Sequence, residues 1–503
     1  MLKRPLEQLP EHIFPPDPWR LVEQRFTERF VDRGETIFAL SNGYLGVRGT
    51  PEEGRPVRAP ATYINGFHET WPIIHPEEAF GIARHGQTMV KVPEATTLQL
   101  FVDDEPLHLP TARLRRYSRV LDFRAGMLER ELTWSTPGGR HVRVRSCRLV
   151  SLEHRHVVAV AYEVVLDDCS APLVIRSEVR NLEDVAPADG AGRRTDPRVG
   201  SELPGRVLHC EAAERDGERL LLGYRTSNSG MTLGVGVDHV IETDAPHRTE
   251  VSLDGDRSEV IVTADGQPGV PVRITKFAAY QSSRSAEPAE LAERCRWTLD
   301  RVVRGGFGDL RKAQRAELDL FWDRADVRVE AGERTDAVQQ AVRWNLFQVA
   351  QATWRAEGTG VPAKGLTGRG YEGHYFWDTE VYLLPVLSYT QPRIARNLLR
   401  FRHSMLPKAR ERARELNQRG AMFPWRTING DEASPYFQAG TAQYHLNADI
   451  AYAIRRYVRA RGDLGFLVEV GAELLVETAR MWEDLGFYAA DGAFHIHGVT
   501  GPD

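Results

Sequence analysis

The hydrophobic period of this chain changes near residue 285, and that change sets what each part can fold into. Upstream of it, apolar and polar residues alternate. Leu132 and Trp134 alternate with polar neighbours, Thr136-Pro137-Gly138-Gly139 supplies a turn, and Val142 and Val144 resume the alternation, which predicts a hairpin. A long apolar strand is expected over 157–166, and the pattern continues over 220–224, 231–241, 258–263 and 272–277, with turn-forming residues clustered over 184–205. Many strands joined by short turns imply a large antiparallel sandwich. Downstream, 291–303 and 310–322 read as helices. Beyond Val327 the apolar positions step by threes and fours: Val338, Val342, Leu346 and Val349; Ile394, Leu398, Phe401, Met405, Ala409 and Leu416; Ile450, Ile454 and Tyr457; Leu467, Val470, Leu474, Thr478, Met481 and Leu485. The expected fold class is multidomain α+β: a β-sandwich domain over 1–280, a helical linker over 281–330 and a helical domain over 331–503. Periodicity alone leaves a toroid, a bundle and a solenoid open.

A chain of 503 residues has room for two or three domains with real cores. Its net charge of -5, with both signs interspersed, excludes a nucleic-acid footprint and a basic membrane patch. Its apolar runs fall far short of a bilayer span. Met1-Leu2-Lys3-Arg4-Pro5 is followed by no apolar core, so no signal peptide is expected. Cys147, Cys169, Cys210 and Cys295 are widely spaced with no CxxC, which fits a reducing cytoplasm and argues against disulfides or zinc.

Four segments of the helical part concentrate chemistry. Gly370-Tyr371-Glu372-Gly373-His374-Tyr375-Phe376-Trp377-Asp378-Thr379-Glu380 crowds rings and acids together, then runs into an apolar stretch over 381–387 that reads as a buried helix. The others are 423–432, 439–447 and 495–503. Together they offer Trp377, Trp425 and Tyr444 as ring platforms, and Asp378, Glu380, Asp431, Glu432 and Asp503 as carboxylates. Arg426, Gln443, His445 and Asn447 add polar groups. A sugar presents apolar CH faces and a rim of hydroxyls, so flat rings beside carboxylates and amides suit it. Blander readings compete: Trp425 as a core cap, Asp431-Glu432 as a solvated turn, and the polar groups of 443–447 as partners of helix-end amides. His495 and His497 lack a third ligand at a recognisable spacing, so no metal is expected. No phosphate-binding glycine loop and no nucleophile elbow is present.

At these segments the chain resembles glycoside hydrolase family 65, the inverting disaccharide phosphorylases acting on trehalose, maltose, kojibiose or nigerose, with some trehalases. Leu40-Ser41-Asn42-Gly43-Tyr44-Leu45-Gly46-Val47-Arg48-Gly49 and Tyr63-Ile64-Asn65-Gly66-Phe67 are similar to the family's opening signature. Residues 364–380 and His495-Ile496-His497-Gly498-Val499-Thr500-Gly501-Pro502-Asp503 resemble two further runs. The resemblance implies an N-terminal β super-sandwich, a helical linker and an (α/α)6 barrel, of which this chain holds the first part. It implies substrate binding by Trp377, Asp378, His374, Trp425, Arg426, Gln443 and His445. It implies inorganic phosphate as co-substrate with no cofactor, a cytoplasmic enzyme and a homodimer as one possible assembly. Pro424-Trp425-Arg426-Thr427 and 440–445 look more like the trehalose branch than the maltose branch.

The general acid implied by the family is the glutamate after Gly-Pro-Asp, one residue beyond Asp503. The expectation is therefore no catalytic residue within the chain and no turnover by it in isolation. A family 65 hydrolase and a glycan-binding fragment remain open as alternatives.

Overall fold

A computed structural model describes residues 9–75, 81–181, 205–434, 440 and 443–501. The structure is a multidomain α+β protein with an antiparallel β-sandwich followed by helices. One sheet has nine strands, in the spatial order Arg20–Glu23, Arg113–Asp122, Met127–Ser135, His141–Val150, Val157–Leu166, Val272–Ser283, Thr232–Glu242, Arg219–Thr226 and Leu208–Asp216. A five-stranded sheet packs against it, in the order His247–Ser252, Arg257–Gly266, Ala171–Arg180, Leu98–Val102 and Glu105–Pro106. The expected hairpin is present, with Val142 opposite Trp134 and Val144 opposite Leu132. Alternation explains the layering: Trp134, Val142, Val144 and Tyr162 of the large sheet meet Leu100, Leu173, Ile175 and Val262 of the small one in a single core cluster.

The outer face of the nine-stranded sheet is partly covered by a long helix, Pro288–Ala325. Leu291, Cys295, Leu299 and Val302 bury themselves against Leu149, Ala159, Leu221 and Phe277, each large apolar side chain adding roughly 1.5–3 kcal/mol. Glycines in the sheet admit the helix backbone: a Cβ at Gly234 would lie 2.4 Å from the Leu291 carbonyl carbon. At Gly306 the helix departs from helical geometry, with φ 72° and ψ 173°. That break is why the sequence reads there as two helical segments.

A third sheet, of four strands, is Leu40–Ser41, Leu45–Val47, Thr62–Pro72 and His85–Val92. It forms the side of the sandwich that meets the helical part. A Cβ on Gly46 would lie 2.3 Å from Leu366 Cβ, and one on Gly373 would lie 2.6 Å from Met89 Cβ. The opening signature of the sequence therefore lines a tight inter-domain seam.

The helical part departs from the sequence reading in three places. The positions 394–416 form two helices, Pro392–Ser404 and Leu406–Glu415. Pro407 has no N–H to continue the first helix and restarts the second. In helix Thr335–Thr353 the buried face is Gln339, Arg343, Phe347, Ala350 and Gln351, while Val338, Val342 and Leu346 stay half-buried along an open groove. Polar ties set that rotation: Arg343 pairs with Asp326 at 2.8 and 2.9 Å and stacks 3.7 Å over the Trp19 ring, and Gln339 bonds the backbone of Val327 and Val329. Finally, the stretch after Glu380 is not a buried helix throughout. Thr379–Leu383 is a π-turn leading into helix Leu384–Thr390, and Tyr382 is 62 % exposed. Helices His445–Arg461 and Ala472–Leu485 bury the predicted faces through Ile450, Ile454, Tyr457, Leu474 and Met481. No helix of the described residues is long and apolar enough to cross a membrane.

Candidate sugar site

The loop 370–380 is anchored from both sides. Tyr375 N donates to the Thr427 carbonyl at 2.8 Å, so the loop pairs with the 423–434 segment. The Tyr375 hydroxyl donates to Asn65 Oδ1 at 2.8 Å, and Asn65 Nδ2 donates to the Gly43 and Gly360 carbonyls. With its backbone fixed, the loop presents two neighbouring groups of polar side chains.

The first group gathers around Trp377. The His445 ring stands edge-on to Trp377, with centroids 5.3 Å apart at 90°, and Tyr382 flanks the same indole at 5.8 Å. His445 opens its helix; its Nδ1 donates to Asp449 Oδ2 at 2.8 Å, and its Nε2 lies 3.2 Å from Gln443 Oε1. Burial raises the Asp449 pKa, the Asp378 charge adds to that shift, and the contact with His445 opposes it. Asp378 is exposed, whereas Gln443 is buried. A half-buried indole, a histidine oriented by a carboxylate, an amide and an exposed carboxylate form a set that can meet both a CH face and hydroxyls.

The second group surrounds His374, which is fully buried. Its Nδ1 lies 2.8 Å from the Tyr371 carbonyl and 3.2 Å from Arg426 Nε. Burial first, then the Arg426 charge, push its pKa well below the ordinary value, so the ring is neutral. Arg426 Nη2 donates to Glu372. Trp425 sits edge-on to Phe376 at 5.2 Å, which joins this group to Trp377 one residue further on. Of the buried side-chain nitrogens here, His374 Nε2 and Trp425 Nε1 have no hydrogen-bond partner among the described residues.

Several expected site residues do other work. Glu380 is buried in a two-point pair with Arg402, at 2.7 and 3.0 Å, and Arg402 also bonds the Phe376 carbonyl at 3.2 Å. It braces the loop from beneath and is not an open carboxylate. Asn447 is likewise internal, accepting from Phe423 N and donating to the Ala421 carbonyl. Tyr444 packs with Met422 and Met481 and takes a hydrogen bond from Gln418, so it is no ring platform.

The solvated-turn reading of Asp431-Glu432 holds for only one of the two. Asp431 is exposed and pairs with Lys408 at 2.8 Å. Glu432 is buried and accepts from the amides of Trp425, Arg426 and Ser434. Burial lifts its pKa to about 6 against the pull of Arg412 and those amides. His495 and His497 gather around Phe487, with centroids at 5.7 and 5.1 Å. Asp503 lies outside the described residues, and so does most of 435–442. Among the described residues no cluster of three or more His, Cys, Asp or Glu could hold a metal ion. Sequence reasoning missed Asp449, although its spacing four residues after His445 on a helix would have shown it. It also missed Arg402, Asn65 and Gln87, whose partners lie far away in sequence and leave no local signal.

Known proteins match along the same lines. Residues 21–321 match the glycosyl hydrolase family 65 N-terminal domain, and residues 343–503 match the family 65 central catalytic domain. An uncharacterized glycosyl hydrolase of Mycobacterium tuberculosis is 43% identical over 496 residues, covering 98% of this chain and 62% of that protein. An alpha,alpha-trehalose phosphorylase of Thermoanaerobacter brockii is 39% identical over 501 residues, covering 98% of this chain and 63% of that protein. A solved structure of a putative kojibiose phosphorylase from the human microbiome superposes with a TM-score of 0.85 at 25% identity, over 99% of this chain and 63% of that one. The chain thus spans somewhat over three-fifths of the length of these relatives. With both domain models matched in order and the fold shared along the whole chain, this protein belongs to glycosyl hydrolase family 65.

Proposed function

We propose that this protein cleaves an α-linked glucose disaccharide, trehalose in preference, by inverting phosphorolysis to β-glucose 1-phosphate and glucose. Inorganic phosphate is the co-substrate and no cofactor is required. The observation that carries the reading is the grouping of Trp377, Asp378, Gln443 and His445, with Asp449 behind the histidine. In that arrangement the indole stacks on the glucosyl ring, and Asp378 with the polar groups orders its hydroxyls. His374, Trp425 and Arg426 bind the sugar from the adjoining side. The preference for trehalose is supported by the 39% identity to a trehalose phosphorylase, against 29% to a kojibiose phosphorylase.

The chemistry requires an acid at the leaving oxygen, while phosphate attacks the anomeric carbon from the opposite face in place of a base and water. No described carboxylate is assigned the acid role. Glu380 is committed to Arg402 and Glu432 to three amides. The domain division proposed with this reading is 1–280 for the sandwich, 281–330 for the linker and 331–503 for the helical catalytic part.

The test is phosphate-dependent release of glucose 1-phosphate by the whole protein from trehalose, maltose, kojibiose and nigerose, with the anomer of the product determined. Trehalose is expected to be consumed fastest and the β anomer to form. Release of glucose without phosphate would replace the reading with a hydrolase, and an α product would overturn inversion. Trp377→Ala and Asp378→Ala are each expected to lower kcat/KM by about a hundredfold or more, a contact loss of about 3 kcal/mol in the transition state. Unchanged kinetics would make both residues structural.

A further inference from the structure

We propose that Gln87, a residue of the β-sandwich, is a positioning residue for the sugar site, holding in register the turn that follows Trp425 and Arg426. The inference rests on the sugar-site reading given above. Gln87 lies in strand His85–Val92 of the four-stranded sheet and is 1% exposed. Its Oε1 accepts from Ile428 N at 2.7 Å and from Asn429 N at 3.3 Å. Its Nε2 donates to Asn429 Oδ1 at 3.0 Å and to the Asp431 carbonyl at 3.4 Å. One side chain thus bonds Ile428, Asn429 and Asp431 of the turn 428–431, which is flanked by Arg426-Thr427 on one side and Glu432 on the other. Within the turn, Gly430 at φ 99° and the Thr427 hydroxyl, which accepts from Gly430 N at 2.7 Å, complete the bend.

The same strand also supports the other loop. Met89, two residues along and on the same face, packs so closely on Gly373 that any side chain there would collide with it. Gly373 directly precedes His374. A single sandwich strand therefore backs both the His374 loop and the Trp425–Arg426 loop, and Gln87 is its polar contact. A displacement of these loops by 1 Å is enough to cost binding energy at a sugar site, although Gln87 itself is placed behind the loop.

The experiment compares Gln87→Leu, which removes all four hydrogen bonds at similar volume, with Gln87→Glu, which keeps the acceptor for the two amides. Asn429→Ala removes one partner of Gln87 without touching the strand. Readouts are KM and kcat for the disaccharide, thermal midpoint, glucose affinity by calorimetry and amide exchange at Ile428 and Asn429. In Gln87→Leu, exchange at these amides and KM are both expected to rise about tenfold, with kcat within about threefold of wild type. Gln87→Glu is expected to restore most of the KM, and Asn429→Ala to raise it about threefold.

Faster exchange with KM and glucose affinity unchanged would overturn the proposal. So would a loss of activity in Gln87→Leu that follows the thermal midpoint and leaves KM alone. Should Gln87→Leu fail to fold, an unchanged KM in Asn429→Ala would overturn it. If the wild-type protein shows no phosphorolysis, the functional reading fails by itself, and glucose affinity read against amide exchange still decides the role of Gln87.

Discussion

The sandwich interior and the sugar-site loops both bury guanidinium–carboxylate pairs, but they close them differently. Between the sheets, Arg130 grips Glu53 through two hydrogen bonds of 2.7 and 2.5 Å and reaches Glu52 at 3.1 Å. Arg148 takes the other side of Glu52 at 2.9 Å, and the Tyr162 hydroxyl donates to Glu53. Burial pushes the Glu52 pKa up, yet Arg130 and Arg148 together hold it below the ordinary carboxylate value. Every carboxylate there faces cations or hydroxyls of neighbouring strands, and the cluster has no exposed member. In the loops Arg402–Glu380 braces the backbone from beneath, Arg426–Glu372 lies beside His374, and rings and an exposed carboxylate stand next to both. The same chemistry clamps two layers in one region and frames a binding surface in the other. What differs is exposure: the sandwich carboxylates are buried among their partners, whereas Asp378 beside the loop pairs reaches solvent.

The comparison breaks most visibly if one sandwich carboxylate is removed. Glu53→Ala leaves Arg130 buried beside Glu52 alone and is expected to cost about 3–5 kcal/mol, read as a fall in the denaturation midpoint. A loss below about 1 kcal/mol would mean that the clamp contributes little.

A smaller effect is expected at Glu432, whose pKa rises from 4.5 to about 6. The raised pKa means that the folded state binds the proton more tightly than the unfolded chain. Its stabilising effect is full below pH 4.5 and is lost as pH climbs to about 6. Glu432→Gln is expected to remove that decline, worth about 2 kcal/mol, so its stability at pH 7 relative to pH 4 exceeds the wild-type ratio. Parallel pH profiles for variant and wild type would contradict the assignment.

The smallest effect sharpens the contrast from outside. Lys408→Ala breaks the exposed pair with Asp431 and is expected to change stability by less than about 0.5 kcal/mol. A larger change would show that the surface pair belongs to the loop framework.

Legibility in the sequence follows the same divide. The strands were readable because alternation is local: Trp134, Val142 and Val144 announce both their period and their buried face. The rotation of helix Thr335–Thr353 was not, because Arg343 and Gln339 are buried by partners whose positions only the folded chain reveals. At the candidate site, His445 stands against the Trp377 indole and beside Gln443, and the Asp378 charge acts on Asp449 behind that histidine. Glu380, Tyr444 and Asn447 carry equally suitable chemistry and face inward. A polar residue in a loop reads identically in sequence whether it meets a ligand or the underside of its own backbone.

The turn before His374 has a consequence for how this protein can change. Tyr371 and Glu372 both adopt left-handed backbone conformations, with φ of 54° and 56°. For residues with a side chain, each such conformation costs about 1–2 kcal/mol. Glycine at either position would relax the turn, but glycine at 372 would also delete the carboxylate that meets Arg426. A population of variants selected only for heat resistance should therefore drift toward glycine or asparagine at 371 alone, because losing Glu372 would take a carboxylate from the buried Arg426 at a cost larger than the strain relieved. Position 372 keeps its left-handed glutamate under selection for heat or for the sugar alike, so of two adjacent strained residues only one is open to hardening.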